Sequence, residues 1–132
     1  MDAFRRSNHS VTKLVVHLVL VTKYRKKVLD AQALDWLQHL FAMVCIELGC
    51  TMVAADGESD HFHILVEYPP TLPISELVQR LKGRSSRELR VARPDLAKRY
   101  WKGVLWTPSY FAVSAGGAPL ATIKQYVDSQ RG

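Results

Sequence analysis

Apolar residues along the chain recur with two different periods, and the alternation between them outlines the elements. Leu14 to Thr22 is an almost unbroken run of Val and Leu, the pattern of a buried strand. Beyond Asp30, a side chain suited to cap a helix, Leu34, Leu37, Phe41, Val44 and Leu48 recur at alternating short steps and predict an amphipathic helix that stops at Gly49. Thr51 to Ala55 and His61 to Tyr68 read as two short strands. Asp56-Gly57-Glu58-Ser59-Asp60 between them is polar and contains a glycine, so a hairpin is expected. Pro69, Pro70 and Pro73 then break the chain, and a second helix runs to the region before Pro94 with Ile74, Leu77, Val78 and Leu81 on its apolar face. Trp101 to Pro108 is a loop rich in aromatics and Tyr110 to Ser114 a fourth strand. Ala115-Gly116-Gly117 is a flexible break before a last helix with Pro119 in its first turn.

The order strand, helix, strand, strand, helix, strand predicts an α+β fold, a ferredoxin-like sandwich. A four-stranded antiparallel sheet would carry two helices on one face and leave the other face open, with an added C-terminal helix. The 132 residues suit a single domain over 1–132, with a body over 10–115 and a hinge and terminal helix over 116–132. At 48% hydrophobic and 23% charged the chain is globular in composition, which excludes a disordered tail or a disulfide miniprotein. Cys45 and Cys50 lack the spacing of a redox or zinc pair, as expected in a reducing cytosol. The run Leu14 to Val21 is about half the length a bilayer requires, contains His17 and lacks a cleavage site after it. The expectation is a cytoplasmic protein with no membrane segment.

Charge is uneven. Between residues 80 and 102 there are nine basic groups and two acidic ones, while the rest of the chain has nine basic and ten acidic, so one segment carries the whole +6 excess. Such a strip suggests a footprint for a polyanion. At 100° per residue Arg80, Arg84 and Arg87 fall within an arc of roughly 60° beside the apolar stripe, where they can follow a phosphate backbone, and Lys82 points elsewhere. A merely solvated face is the alternative, although such faces usually mix signs. Trp101 and Trp106 fit either base stacking or the core.

His61-Phe62-His63 lies on a predicted strand, so both imidazoles face one way and Phe62 the other. Two neutral imidazoles on one face can hold a divalent cation if a third ligand is supplied, or they can be polar residues on a solvated sheet. On the last helix Tyr126 and Gln130 are one turn apart. A tyrosine beside a metal can be a nucleophile and a Gln oxygen can complete a His, His, Gln set; a half-buried Tyr and a solvated Gln fit the same spacing.

Asp60-His61-Phe62-His63-Ile64-Leu65 resembles the His-hydrophobe-His motif of the HUH nucleases, and Tyr126-Val127-Asp128-Ser129-Gln130 resembles their single-tyrosine helix. Thr22-Lys23-Tyr24-Arg25, Leu81-Lys82-Gly83-Arg84-Ser85-Ser86 and Leu105-Trp106-Thr107-Pro108-Ser109-Tyr110 narrow the likeness. Together they are similar to the small single-tyrosine HUH transposases of bacterial insertion sequences, over about Val15 to Gln130. The resemblance implies Mg²⁺ or Mn²⁺ held by His61, His63 and Gln130, with Tyr126 attacking a phosphodiester to give a 5′-phosphotyrosine and a free 3′-hydroxyl. It implies single-stranded DNA hairpins as substrate, contacts to that DNA from Lys23, Arg25 and the basic helix with Arg80, Lys82, Arg84 and Arg87, and a homodimer that can exchange its C-terminal helices across Gly116-Gly117. It implies no small-molecule cofactor. A domesticated relative acting on chromosomal palindromic repeats shares the same chemistry, and a non-catalytic nucleic-acid-binding module of the same fold is the alternative of another class.

Overall fold

The structure is a computed structural model that describes residues 4–100, 104–116, 121, 122, 124, 125 and 128. A short N-terminal hairpin comes first, β1 (Arg5–Arg6) against β2 (Val11–Thr12). Its strands are too short for any periodicity to reveal them. The hairpin is tied to the body by Arg5, whose guanidinium meets the Glu67 carboxylate at 2.7 Å.

Four longer strands make the sheet: β3 (Leu14–Val21), β4 (Thr51–Glu58), β5 (His61–Tyr68) and β6 (Phe111–Ser114). Their spatial order is β4-β5-β3-β6 and every pairing is antiparallel. With α1 (Ala31–Glu47) between β3 and β4, and α2 (Ile74–Ala92) between β5 and β6, this is the ferredoxin-like sandwich that the element order predicts. Val16, Leu18 and Leu20 of β3 and Phe62, Ile64 and Val66 of β5 share a core with Leu37, Phe41 and Val44 of α1 and Leu77 and Leu81 of α2. Phe41 and Phe62 meet edge to face with ring centres 5.1 Å apart.

Local chemistry sets the boundaries of α1. The Asp30 carboxylate accepts from the Ala33 amide at 2.8 Å, satisfying a donor the helix cannot pair itself. At the other end Gly49 takes φ +76°, a left-handed conformation open to glycine at little cost. In α2 the Ser85 hydroxyl donates to the Leu81 carbonyl at 2.6 Å and accepts from the Trp106 indole N–H at 2.8 Å. Trp106 is therefore a buried core residue pinned to α2. Trp101 lies outside the described residues. A four-residue helix, α3 (Pro94–Ala97), follows α2.

The β4–β5 hairpin differs from expectation. The polar link was expected to span Asp56 to Asp60, but β4 continues through Glu58 and only Ser59 and Asp60 form the turn. Asp56, Gly57 and Glu58 pair with His63, Phe62 and His61. Gly57 serves packing here: a Cβ at that position would lie 2.5 Å from the Phe62 ring and 2.7 Å from a Leu34 methyl. Among the described residues no helix is long and apolar enough to cross a membrane.

Gly57→Ala should therefore lower stability by about 1–3 kcal/mol through overpacking. Urea unfolding of the two proteins measures this directly, and an unchanged midpoint would mean that Phe62 and Leu34 move aside freely.

Candidate functional site

Because strand side chains alternate, the residues of β5 that skip the core form the opposite face. His61, His63 and Leu65 point there, joined through the register by Val15, His17 and Val19 of β3 and by Ala54 and Asp56 of β4. This face was expected to be open. Instead His17 is 0%, His63 1% and Val19 1% exposed. Ala121, Thr122, Lys124, Gln125 and Asp128 are helical, and the Lys124 ammonium is ion-paired with the Asp56 carboxylate of β4. The described residues of the C-terminal segment thus sit against the histidine face, with Lys124 on Asp56 and with Lys124 and Asp128 near enough to His17 and His63 to act on their charge. A cavity of about 450 Å³ is lined by Asp56, Thr122, Lys124, Gln125 and Asp128. Tyr126 and Gln130 lie outside the described residues.

Three imidazoles cluster on this face. His61 and His63 have ring centres 5.0 Å apart, and His17 and His63 likewise 5.0 Å apart. His61 Nδ1 is 2.7 Å from Asp60 Oδ1. Since a carboxylate only accepts, His61 carries its proton on Nδ1 and keeps a lone pair on Nε2, which lies 3.7 Å from the Glu58 carboxylate of β4. Asp60 also accepts from Arg25 Nε at 3.3 Å. Burial opposes the Asp60 charge, yet the hydrogen bond from His61 and the Arg25 charge prevail and hold its carboxyl below the usual range. His63 Nδ1 lies 2.9 Å from His17 Nε2, while His63 Nε2 and His17 Nδ1 are buried without a hydrogen-bond partner among the described residues.

Burial pushes both His17 and His63 down to about 4. The neighbouring imidazoles and Lys124 add to the shift at His63, and Asp128 opposes it at both rings. Both rings are neutral at neutral pH, the state that binds cations. Among the described residues no group of three or more His, Cys, Asp or Glu is arranged to hold a metal. The pair itself fits a divalent ion, because each ring is held through Nδ1 and the buried Nε2 of His63 has no partner of its own among the described residues. The sequence signal for His17 is a lone imidazole in an otherwise apolar strand, two residues from Val15 and Val19 on the same face. Taken simply as a polar interruption of an apolar run, it escapes notice as part of the site.

The predicted DNA contacts separate into two groups. Arg80 and Arg87 are exposed on α2. Arg84 instead meets the Glu47 carboxylate of α1 at 2.9 Å and is also ion-paired with Glu88. The Lys82 ammonium donates to the backbone carbonyls of Thr107 at 2.6 Å and Pro108 at 3.0 Å, fastening the loop before β6. Arg93 is likewise engaged, with Asp30 at 2.6 Å and Asp95 at 2.9 Å. Arg84 and Arg93 are thus engaged by carboxylates, and Lys82 by carbonyls, within the fold. Lys23 and Arg25 stand on a 3₁₀ turn over Lys23–Arg25, directly after β3, and Arg25 reaches Asp60 beside the histidines. Tyr24 and Arg25 adopt positive φ, which throws the turn outward.

The fold and site define an α+β protein whose sheet buries a His-x-His pair beneath a C-terminal segment. The sequence profile of IS200-like transposases matches residues 10–130, and the chain belongs to that family. It is 33% identical over 120 residues to the ISDra2 transposase TnpA of Deinococcus radiodurans, a match covering 91% of this chain and 86% of that protein. It is 28% identical over 114 residues to the transposase for insertion sequence element IS200 of Salmonella typhimurium, covering 86% and 74%. A crystal structure from Deinococcus radiodurans of a chain assigned as a transposase superposes with a TM-score of 0.81 at 33% identity, covering 96% of this chain and 97% of that one. A REP-associated tyrosine transposase solved with a REP hairpin shares the fold, with a TM-score of 0.59 at 15% identity and coverage of 97% and 69%.

The lowered His17 and His63 values carry a sign. Below the ordinary value of 6.5 the unfolded chain takes up protons that the folded chain refuses, so stability is full above it and drains away as pH falls towards about 4. Asp30, held down to about 2 by its hydrogen bonds from Arg93 and the Ala33 amide, loses its contribution only at more acidic pH. In chelator, unfolding free energy should drop by on the order of 2 kcal/mol between about pH 7 and about pH 5. A flat stability profile over that window would contradict neutral, buried imidazoles.

Proposed function

We propose that this chain is a transposase that cleaves and rejoins single-stranded DNA at hairpin-bearing element ends through a 5′-phosphotyrosine on Tyr126. In this reading His61, His63 and Gln130 hold Mg²⁺ or Mn²⁺. The observation that carries the proposal is the buried histidine pair, each ring held through Nδ1, in a chain whose family match extends through both Tyr126 and Gln130. Two imidazoles and an amide oxygen are all neutral, so a cation there keeps its charge and its vacant positions for phosphate oxygens. When bound, the ion supplies Lewis-acid polarisation of the scissile phosphodiester.

The chain's own residues do the rest. The Tyr126 phenol oxygen bonds to phosphorus as the bond from phosphorus to the 3′-oxygen breaks, and the proton lost by the phenol is balanced by the one gained at the 3′-oxygen. No water is consumed, so an incoming 3′-hydroxyl reverses the step and joins strands without a further energy source. Burial of His63 excludes bulk water, which protects the ester link from hydrolysis. Arg80 and Arg87 supply phosphate contacts on α2, and Lys23 and Arg25 supply them beside the site. The same fold holds a REP hairpin in the tyrosine transposase compared above, so the architecture admits such a substrate. Joining two ends with one tyrosine per chain calls for a homodimer, and Gly116, at φ +54° before the C-terminal segment, is a position where that segment can change direction and exchange.

A labelled single-stranded hairpin incubated with Mn²⁺ should yield a covalent adduct that Tyr126→Phe abolishes. Tight binding by the intact protein with no adduct would rule the reaction out. Gln130→Ala should raise the Mn²⁺ concentration needed for cleavage by about tenfold while hairpin binding survives. For the substrate side, Arg80→Ala combined with Arg87→Ala should flatten the salt dependence of hairpin binding by about 1.4 in slope, roughly 0.7 for each lost phosphate contact. Arg84→Ala should leave that slope nearly unchanged and lower stability instead, because its guanidinium already serves Glu47 and Glu88.

A further inference from the structure

His17 is fully buried in β3, and among the described residues its side chain has one hydrogen-bond partner, His63. A Leu or Val would fill the same strand position without burying polar nitrogens, so the imidazole costs stability unless it serves the site. The arrangement of the other histidine indicates how. Asp60 holds His61 through Nδ1 and leaves the Nε2 lone pair, 3.7 Å from the exposed Glu58 carboxylate, for the site; at His63 the atom held is again Nδ1, with His17 in the place of the carboxylate. Of the two ways to place the shared proton, only one leaves His63 Nε2 with a lone pair. Either placement leaves one buried N–H without an acceptor among the described residues, but if His17 donated, His63 would carry its proton on Nε2 and keep no lone pair there for a cation.

We propose that His17 is a positioning residue: its Nε2 accepts the hydrogen bond from His63 Nδ1–H, which fixes the tautomer of His63 and presents the Nε2 lone pair to the cation. The proposal rests on the metal-site reading above. It places the His17 proton on Nδ1, facing a field set by Asp128, which favours a proton there, and by Lys124, which opposes it. A neutral imidazole is a weaker acceptor than a carboxylate, so the two ligands differ in basicity: His61, backed by Asp60, is the stronger donor to the metal, and His63 the one whose orientation needs a partner.

Long-range proton–nitrogen spectra of the metal-free protein near neutral pH read the tautomer directly. His63 should show its proton on Nδ1 and His17 should be the acceptor through Nε2; a proton on His63 Nε2 overturns the proposal. Titration with Mn²⁺ alone gives the second readout. His17→Leu should weaken binding by about ten- to a hundredfold, and His17→Gln, whose amide oxygen can accept from His63, should recover most of it. Hairpin affinity in chelator should be the same for all three proteins. Wild-type Mn²⁺ affinity in His17→Leu, together with loss in His63→Ala, sinks the positioning role and leaves the metal reading standing. Wild-type affinity in His63→Ala sinks both. Should His17→Leu fail to fold, the spectrum of the unaltered protein and the His17→Gln titration still decide.

Discussion

β5 is hydrogen-bonded along both edges, to β3 on one side and β4 on the other, and its register against them governs almost everything else in the molecule. Side chains alternate along a strand, so a slip of one residue would exchange its two faces completely. In the observed register Phe62, Ile64 and Val66 enter the core beneath the helices, while His61 and His63 emerge on the other side. The apolar demand of the core thereby fixes where the histidines stand. Gly57, paired with Phe62, shows how tight that demand is: the ring occupies the space a side chain at 57 would need. Fold and site are two faces of one strand, and neither can shift without the other.

Burial then decides the character of the imidazoles. An exposed histidine pair would titrate near neutrality and exchange its partners with water. Here His63 and His17 are shut away from solvent and share a hydrogen bond of 2.9 Å, so both remain neutral and both lose rotational freedom. Lys124, paired with Asp56, brings the covering segment against the β4 edge of this face, and its charge reinforces the neutral state of His63. The same contact that buries the site therefore contributes to its electrostatics. Asp60 works similarly on the exposed side, linking Arg25 of the outer turn to the ring of His61.

The basic segment illustrates how packing divides a charge pattern that looks uniform in sequence. Arg84 bridges Glu47 and Glu88, Arg93 bridges Asp30 and Asp95, and Lys82 closes the loop before β6. These long side chains hold helix to helix and helix to loop, and Arg93 reinforces the cap of α1 through Asp30. Arg80 and Arg87 remain exposed at the surface of α2. Counting charges locates the basic strip correctly and overstates the part of it that faces outward.

Much of this is legible in the amino-acid sequence. The period-two and helical patterns yield the strand and helix order, Asp30 and Gly49 bound α1, and the His-x-His alternation assigns both imidazoles to one face, because each depends only on neighbours in the chain. The Tyr126 and Gln130 assignments come from the motif alone, since those residues lie outside the described part of the structure. What local pattern could not reach is every relation between distant segments. The extension of β4 through Glu58 depends on pairing across to His61, and the burial of the histidine face depends on the C-terminal segment. The partner of Arg84 on α1 and the union of His17 with His63 join residues 37 and 46 positions apart. Sequence alone determined which residues share a face; only the tertiary structure decided what covers that face and which nitrogen of each ring is left for chemistry, because burial and hydrogen-bond partners are properties of the packed chain.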